Sequence, residues 1–321
     1  MNSQITSVQY PVLVIGGGAW GTVLTQLFQH QGATVQQWSR RSELPLAPAA
    51  VGCKIILSAV SMAGVGATLE QLQPLPIPPE TILVTATKGL DRATHKTPSQ
   101  LWQATFPHNP IVVLSGPNLS AEIQAGLPAA TVVASQELAA AQTVQQMLAS
   151  ERFRVYVNAD PLGTELGGTI KNVMAIAAGV CDGLALGTNA KAALLTRALP
   201  EMVRVGVALG AKPETFVGLA GLGDLLATCS SSLSRNYQVG YGLGQGRSLS
   251  EVLVNLSGTA EGINTTQVLV QWAEKAGLTV PIATAVQAIL QQTLSPTAAV
   301  EQLMARDLTT EADDLFKMPL P

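Results

Sequence analysis

The sequence predicts an α/β fold: a doubly wound parallel sheet followed by an all-helical C-terminal domain. Three observations carry this. Short β-branched, apolar runs alternate with helix-compatible stretches through the first half of the chain. A glycine-rich turn, Gly16-Gly17-Gly18-Ala19-Trp20-Gly21, joins the first such run to the first helical stretch. After about residue 161 strand-like runs disappear, and long stretches rich in Ala, Leu and Val take over. Alternation of the first kind is the pattern of βαβ units.

Val12-Leu13-Val14-Ile15 has no polar face, as expected of a strand covered on both sides. Residues 19–31 fit a helix that stops at Gly32, a C′ glycine. Residues 34–38 form the next strand. The short apolar run recurs at 54–60, 81–85, 111–114, 131–134 and 153–157, with helices or loops between. The second half reads as helices over 161–180, 190–209, 249–254, 265–276 and 281–292. Pro200 interrupts one of these and should kink or divide it, because proline lacks the N–H that a helix interior uses. The expected domains are therefore residues 1–160 and 161–321. No internal repeat is evident.

Composition narrows the function. Hydrophobic residues make up 47% and charged residues 12% of the chain, as in a compact, soluble protein. The formal net charge is −3 and no run of Lys or Arg exceeds two, so no nucleic-acid surface is expected. No apolar stretch nears the ~18 residues that cross a bilayer, and Met1–Gln9 lacks the order of a signal peptide. Cys53, Cys181 and Cys229 have no metal-like spacing and sit among apolar residues, reading as reduced thiols of a cytoplasmic protein. No metal site is expected.

The glycine turn fits G-x-G-x-x-G in its strand–turn–helix context, the Rossmann-type signature of a dinucleotide site. Gly16 allows the turn, Gly18 lets backbone approach a pyrophosphate, and Gly21 lets helix and strand pack closely. The helix N-terminus, with Ala19 and Trp20, offers N–H groups to phosphate. An NAD site usually carries an acid at the end of the second strand. Here Gln37-Trp38-Ser39-Arg40-Arg41 supplies two cations and no acid before Glu43. Arginine suits a 2′-phosphate, so NADPH is favoured over NADH. Lys171 and Asn172 stand where an uncharged run, 173–181, begins. A lysine at the edge of a buried segment has its pKa pushed toward the range useful for proton transfer.

Several segments together resemble the bacterial NAD(P)-dependent glycerol-3-phosphate dehydrogenases. Besides the glycine loop they are Ala86-Thr87-Lys88-Gly89-Leu90, Leu114-Ser115-Gly116-Pro117-Asn118, Ala125-Gly126-Leu127-Pro128, Glu165 through Asn172, Leu219-Ala220-Gly221-Leu222-Gly223-Asp224-Leu225 and Ser234-Arg235-Asn236. They occur in order along nearly the whole chain. The resemblance implies interconversion of sn-glycerol 3-phosphate and dihydroxyacetone phosphate, mainly toward the former for glycerophospholipid synthesis. Lys171 is then the general acid–base. Lys88, Gly116, Asn118, Asn172, Asp224, Ser234, Arg235 and Asn236 are the candidate substrate-binding residues. Lys88, Ser120, Arg235 and Glu261 join Gly16, Gly18, Ala19, Trp20, Gly21, Arg40 and Arg41 as candidate cofactor-binding residues. Asp224 also reads as a helix N-cap, and Gly167 and Gly168 as places where substrate or the cofactor domain approaches the helix backbone. A homodimer through the helical domain is plausible from its apolar richness.

The chain departs from the family between Arg41 and Lys54. That stretch is short, and Ser42-Glu43-Leu44-Pro45-Leu46-Ala47-Pro48 cannot form the helical excursion of most members. Ser58-Ala59-Val60-Ser61-Met62 replaces a more usual Val-Pro-Ser, and Ala19 replaces a frequent Ser. Two other readings remain at this point: a hydroxyacid dehydrogenase or ketopantoate reductase of similar plan, and a non-catalytic NADPH-binding sensor.

Overall fold

The computed structural model describes residues 11–43, 45–256, 258–307 and 310; Met1–Gln9 lies outside the described residues, as does Leu44 of the proline-rich stretch. The chain divides into two compact units. The first comprises Met1–Thr87, Pro98–Leu114 and Asn118–Pro161, the second Lys88–Thr97, Ser115–Pro117 and Leu162–Pro321.

In the first unit β1 (Pro11–Ile15), α1 (Ala19–His30), β2 (Thr34–Trp38), α2 (Leu46–Ala50), β3 (Ile55–Ser58), α3 (Met62–Leu72) and β4 (Ile82–Thr85) succeed one another. They are followed by α4 (Pro98–Thr105), β5 (Ile111–Ser115), α5 (Ser120–Gln124), β6 (Ala129–Ala134), α6 (Leu138–Leu148) and β7 (Phe153–Asn158). The strands form one sheet in the order β2-β1-β3-β4-β5-β6-β7, with β1 parallel to both β2 and β3. β3–β4, β4–β5 and β6–β7 are parallel as well. Burial follows position in the sheet. β3 and β5 are buried at every residue, whereas β2 and β7, at the edges, alternate. Successive residues of β1 serve opposite faces: Val12 and Val14 pack with Leu24 and Phe28, Leu13 and Ile15 with Trp38 and Val65. β2 and β3 flank β1 on opposite sides, so the sheet order switches there. Ligands gather beyond the carboxyl ends of strands at such a point.

α1 ends as its sequence requires: Gln31 is the C-cap and Gly32 follows at φ +79°. The proline-rich stretch is not wholly irregular. Pro45 is the N-cap of α2, which places Pro48 in the first turn, where N–H groups have no helical partner anyway.

The second unit contains α7 (Pro161–Gly183), α8 (Gly187–Ala208), α9 (Pro213–Phe216), a π-helical turn (Leu219–Gly223), α10 (Asp224–Ser230) and α11 (Arg235–Gly244). α12 (Leu249–Val254), α13 (Glu261–Ala276), α14 (Pro281–Leu290) and α15 (Pro296–Met304) complete it. α7 is buried on all sides from Gly163 to Ile176, which identifies it as the central helix. Its Ile170, Val173, Met174 and Ile176 pack with Met202 and Val205 of α8, Leu225 of α10 and Val268 of α13.

Pro200 does not divide its helix: α8 runs through it. Ala198, Met202 and Val205 are fully buried around the proline, and Glu201 accepts from Ile282 N and Ala283 N at 2.9 Å each. Those tertiary anchors outweigh a penalty of about 3 kcal/mol for an interior proline.

Candidate active site

The glycine loop, in the first unit, excludes a side chain at two of its glycines and leaves space at a third. Gly16 has φ +139°, and a Cβ there would lie 2.7 Å from the Ala59 carbonyl oxygen that follows β3. A Cβ on Gly21 would collide with the Gly16 carbonyl oxygen, while one on Gly18 would meet nothing within 4 Å. The first two glycines close the turn and the third leaves open space above the backbone. Gln37 Nε2 donates to the Gly16 oxygen at 2.8 Å, fixing the loop to β2. Gly18 caps α1 without any side-chain hydrogen bond, so the first N–H groups of that helix have no side-chain acceptor. These features fit the pyrophosphate of a dinucleotide. Ala19 is exposed, and Trp20, half-buried, packs against the sheet core.

Arg40 and Arg41 are exposed on a tight turn in which Ser39 N donates to Ser42 Oγ (2.9 Å) and Arg41 N to Ser39 Oγ (3.2 Å). A Cβ on Gly17 would lie 2.9 Å from Ser39 Cβ, so this turn and the glycine loop touch. Asn118, also in this unit, donates to Thr131 Oγ1 at 3.0 Å, and its Oδ1 is buried with no hydrogen-bond partner. Ser120 is half-buried at the first turn of α5.

A second constellation lies within the second unit. Asp224, at the start of α10, is 2% exposed and receives two ammonium groups. Lys171 of α7 donates to Oδ1 at 2.9 Å, and Lys88 binds Oδ2 at 2.5 Å. Lys171 Nζ also donates to Thr228 Oγ1, one turn along α10 from Asp224, and Thr228 itself donates to Asp224 Oδ1 at 3.2 Å. Lys88 Nζ reaches the Gly116 carbonyl oxygen at 3.2 Å. Burial pushes the Lys171 ammonium down; the Asp224 carboxylate opposes this and the Lys88 charge adds to it, leaving a pKa of about 8. With both lysines protonated, two cations share one anion, and the cluster carries a net positive charge.

The neighbouring glycines explain how the lysines fit. A Cβ on Gly168 would strike Ser115 Oγ and lie 3.2 Å from Lys88 Cε; one on Gly167 would lie 2.7 Å from the Ala220 carbonyl oxygen. The close approach expected of substrate or cofactor domain is thus made by Lys88, Ser115 and the π-helical turn. Asp224 does not act as an N-cap, because its carboxylate is engaged by the lysines and Gly223 occupies the cap position.

Asn172 and Asn236 bind each other. Asn236 Nδ2 donates to Asn172 Oδ1 at 2.9 Å, and Asn236 Oδ1 accepts from Gly262 N at 2.9 Å, which ties α7, α11 and α13 together. Ser234 caps α11, accepting from Tyr237 N at 3.2 Å. Arg235 is exposed on the first turn of α11, and its guanidinium lies over Gly258, where a Cβ would stand 2.8 Å from Nη1. Glu261 is half-buried on the first turn of α13. Sequence reasoning missed Thr228; its spacing of four from Asp224 on one helix face was the available signal. It also missed buried Glu201, whose pKa burial raises to about 7 against two N–H donors. Cys53, Cys181 and Cys229 are buried and free, and burial pushes the Cys229 thiol up to about 12.

Comparison with known proteins gives the family. The model of the NAD-dependent glycerol-3-phosphate dehydrogenase N-terminus matches residues 11–47 and 43–141, and that of the C-terminus residues 160–301. A glycerol-3-phosphate dehydrogenase (NAD(P)+) of Acaryochloris marina is 58% identical over 305 residues, covering 95% of this chain and 98% of the relative. One from Synechococcus sp. (strain JA-3-3Ab) is 59% identical, covering 97% and 100%. The crystal structure of glycerol-3-phosphate dehydrogenase from Coxiella burnetii superimposes with a TM-score of 0.88 at 34% identity, covering 93% of this chain and 99% of that one. The chain belongs to the NAD-dependent glycerol-3-phosphate dehydrogenase family.

Proposed function

We propose a residue-level account of how this NAD(P)-dependent dehydrogenase interconverts sn-glycerol 3-phosphate and dihydroxyacetone phosphate. The observation that carries it is the sharing of Asp224 by Lys88 and Lys171. When bound, the nicotinamide supplies the hydride to C2 or accepts it from there. Lys171 handles the matching proton at the C2 oxygen, as base on the hydroxyl in oxidation and as acid to the carbonyl oxygen in reduction. A pKa of about 8 lets it serve in both directions near neutral pH. Asp224 orients the ammonium and keeps its pKa from falling further. Lys88 adds positive charge beside the developing alkoxide. Arg235 grips the phosphate, whose binding energy orients C2. Asn172 and Asn236 hold the helices carrying these groups, with Gly116, Asn118 and Ser234 completing the substrate side.

The dinucleotide is held by Gly16, Gly18, Ala19, Trp20 and Gly21, with Ser120 and Glu261 contributing further contacts. We assign residues 1–160 to its binding, apart from Lys88–Thr97 and Ser115–Pro117, which join residues 161–321 in catalysis. The exposed Arg40–Arg41 turn favours NADPH. Supply of glycerol 3-phosphate for glycerophospholipids, a cytoplasmic location and a homodimer through the helical domain belong to the same reading.

The test follows NADPH and NADH oxidation at the nicotinamide band with dihydroxyacetone phosphate, in the parent protein and in Lys171→Ala. Phosphate-dependent oxidation that Lys171→Ala abolishes supports the account. Near-parental turnover by the variant removes Lys171 from the proton step. An NADH rate matching the NADPH rate removes the specificity assigned to Arg40 and Arg41.

A further inference from the structure

α7 and α11 meet backbone to backbone. Gly179 and Gly183 of α7 face Gly240 and Gly244 of α11. A Cβ on Gly240 would collide with the Ile176 carbonyl oxygen, one on Gly244 would lie 2.7 Å from the Val180 oxygen, and one on Gly183 3.0 Å from Gly244 Cα. At these glycines backbone meets backbone, so α11 cannot move toward α7 there. At the beginning of α11 two side chains complete the fixation. Asn236 is bonded to Asn172, next to Lys171. Tyr237 donates its hydroxyl to Asp182 Oδ2 of α7 at 2.6 Å. Asp182 is also bonded to Lys191 of α8 at 2.5 Å, and the Lys191 ammonium sits 5.3 Å from the Tyr237 ring centroid. Tyr241, one turn on, stacks on the same ring at 6.1 Å. The proton-handling side chain and Arg235 are thereby mounted on one rigid helix pair.

We propose that Tyr237, held by Asp182, is a positioning residue that fixes the first turn of α11 and with it Arg235, and so sets the affinity for the substrate's phosphate. This rests on Arg235 as the phosphate-binding residue. Among the described residues no hydrogen bond joins Tyr237 to Lys171 or Asp224; it acts through the helix turn that carries Arg235, two residues away. Asp182 is reached from Lys171 along about 16 Å of helix at about 1.5 Å per residue, so the anchor lies outside the proton machinery.

The experiment compares steady-state kinetics of Tyr237→Phe, Asp182→Ala and Asp182→Asn on dihydroxyacetone phosphate and on dihydroxyacetone, which lacks the phosphate. Releasing the first turn of α11 weakens the charge-assisted contact of Arg235 to phosphate, which predicts a KM for dihydroxyacetone phosphate raised roughly tenfold in Tyr237→Phe and Asp182→Ala, with kcat within about twofold. Activity on dihydroxyacetone stays at the parental value. Asp182→Asn, whose Oδ1 still accepts from the tyrosine hydroxyl, restores the KM. An unchanged KM in folded Tyr237→Phe overturns the inference, as does an equal loss on both substrates. Arg235→Ala is the control: if it leaves KM unaltered, the phosphate assignment fails first and the inference falls with it. If it raises KM while Tyr237→Phe does not, the positioning role alone fails.

Discussion

Replacing Asp224 by asparagine keeps the shape of the side chain and removes the charge that two ammoniums share. Unit charges about 4 Å apart attract by about 4 kcal/mol at an effective dielectric constant near 20, worth about three pKa units. Burial already carries Lys171 down to about 8 against that attraction, and the Lys88 charge pushes the same way. Without the carboxylate the Lys171 value should fall by about two to three units further. At pH 7 the protonated fraction then drops from about nine-tenths to a few per cent, so kcat/KM for reduction of dihydroxyacetone phosphate falls roughly thirtyfold. For glycerol 3-phosphate oxidation, which needs the free amine, the acid limb of kcat/KM moves about two pH units lower. Stability changes with the same sign. Lys171 sits below its unfolded value, so the folded state holds fewer protons over the interval between the two values and loses stability as pH falls through it. The variant widens that interval and is therefore more destabilised at pH 6 than at pH 8. Both effects are read from pH profiles in the two directions and from thermal unfolding at the two pH values. An acid limb that stays in place or moves upward would refute the argument, since it would mean that Asp224 does not hold the Lys171 charge.

Four further outcomes are expected. Lys171→Ala loses most turnover yet keeps cofactor binding, measured by nicotinamide fluorescence; lost binding would show a structural role instead. Arg235→Ala chiefly raises the substrate KM. Gly16→Ala forces a side chain to 2.7 Å from the Ala59 oxygen at φ +139°, and should weaken both folding and dinucleotide affinity, checked by calorimetry. Glu201, raised from 4.5 to about 7, binds its proton more tightly in the folded protein. Its contribution to stability is fully present below pH 4.5 and is lost as pH rises toward 7, by about 3 kcal/mol at about 1.36 kcal/mol per unit. Glu201→Gln should flatten that part of the stability–pH curve, and a slope that persists would place its origin elsewhere.

The sheet was legible because each buried strand is a short uniform run ended by turn residues, and α7 because apolar residues surround it. The glycine loop and Lys171 could be read for related reasons: each is a residue type in a context that sterics or desolvation makes costly. α11 was not legible. Gly240, Gly242 and Gly244 weaken its local helix propensity, and only contact with α7, at Gly240 and Gly244, and with Val252 of α12, at Gly242, shows why glycines are there. The mutual pairing of Asn172 and Asn236 was hidden likewise, because it joins residues far apart in sequence. Division of α8 at Pro200 does not occur because propensity is local, while the burial of Ala198, Met202 and Val205 is tertiary.

Lys88 and Gly116 each follow a strand of the first unit, yet Lys88–Thr97 and Ser115–Pro117 both count with the second. Asn264 Nδ2 donates to the Leu90 carbonyl oxygen at 2.9 Å, and Thr169 Oγ1 accepts from Gly89 N at 3.0 Å, so the first of these segments is fastened to α13 and α7. No single cut of the chain therefore separates the glycine loop from the charge cluster. A chimera that replaced residues 1–160 with a foreign nucleotide-binding module would carry away one of the two cations on Asp224 and the peptide oxygen that steadies it. Splitting the gene near residue 161 would likewise leave the helical fragment to assemble its charge cluster only by recapturing two loops from the other half.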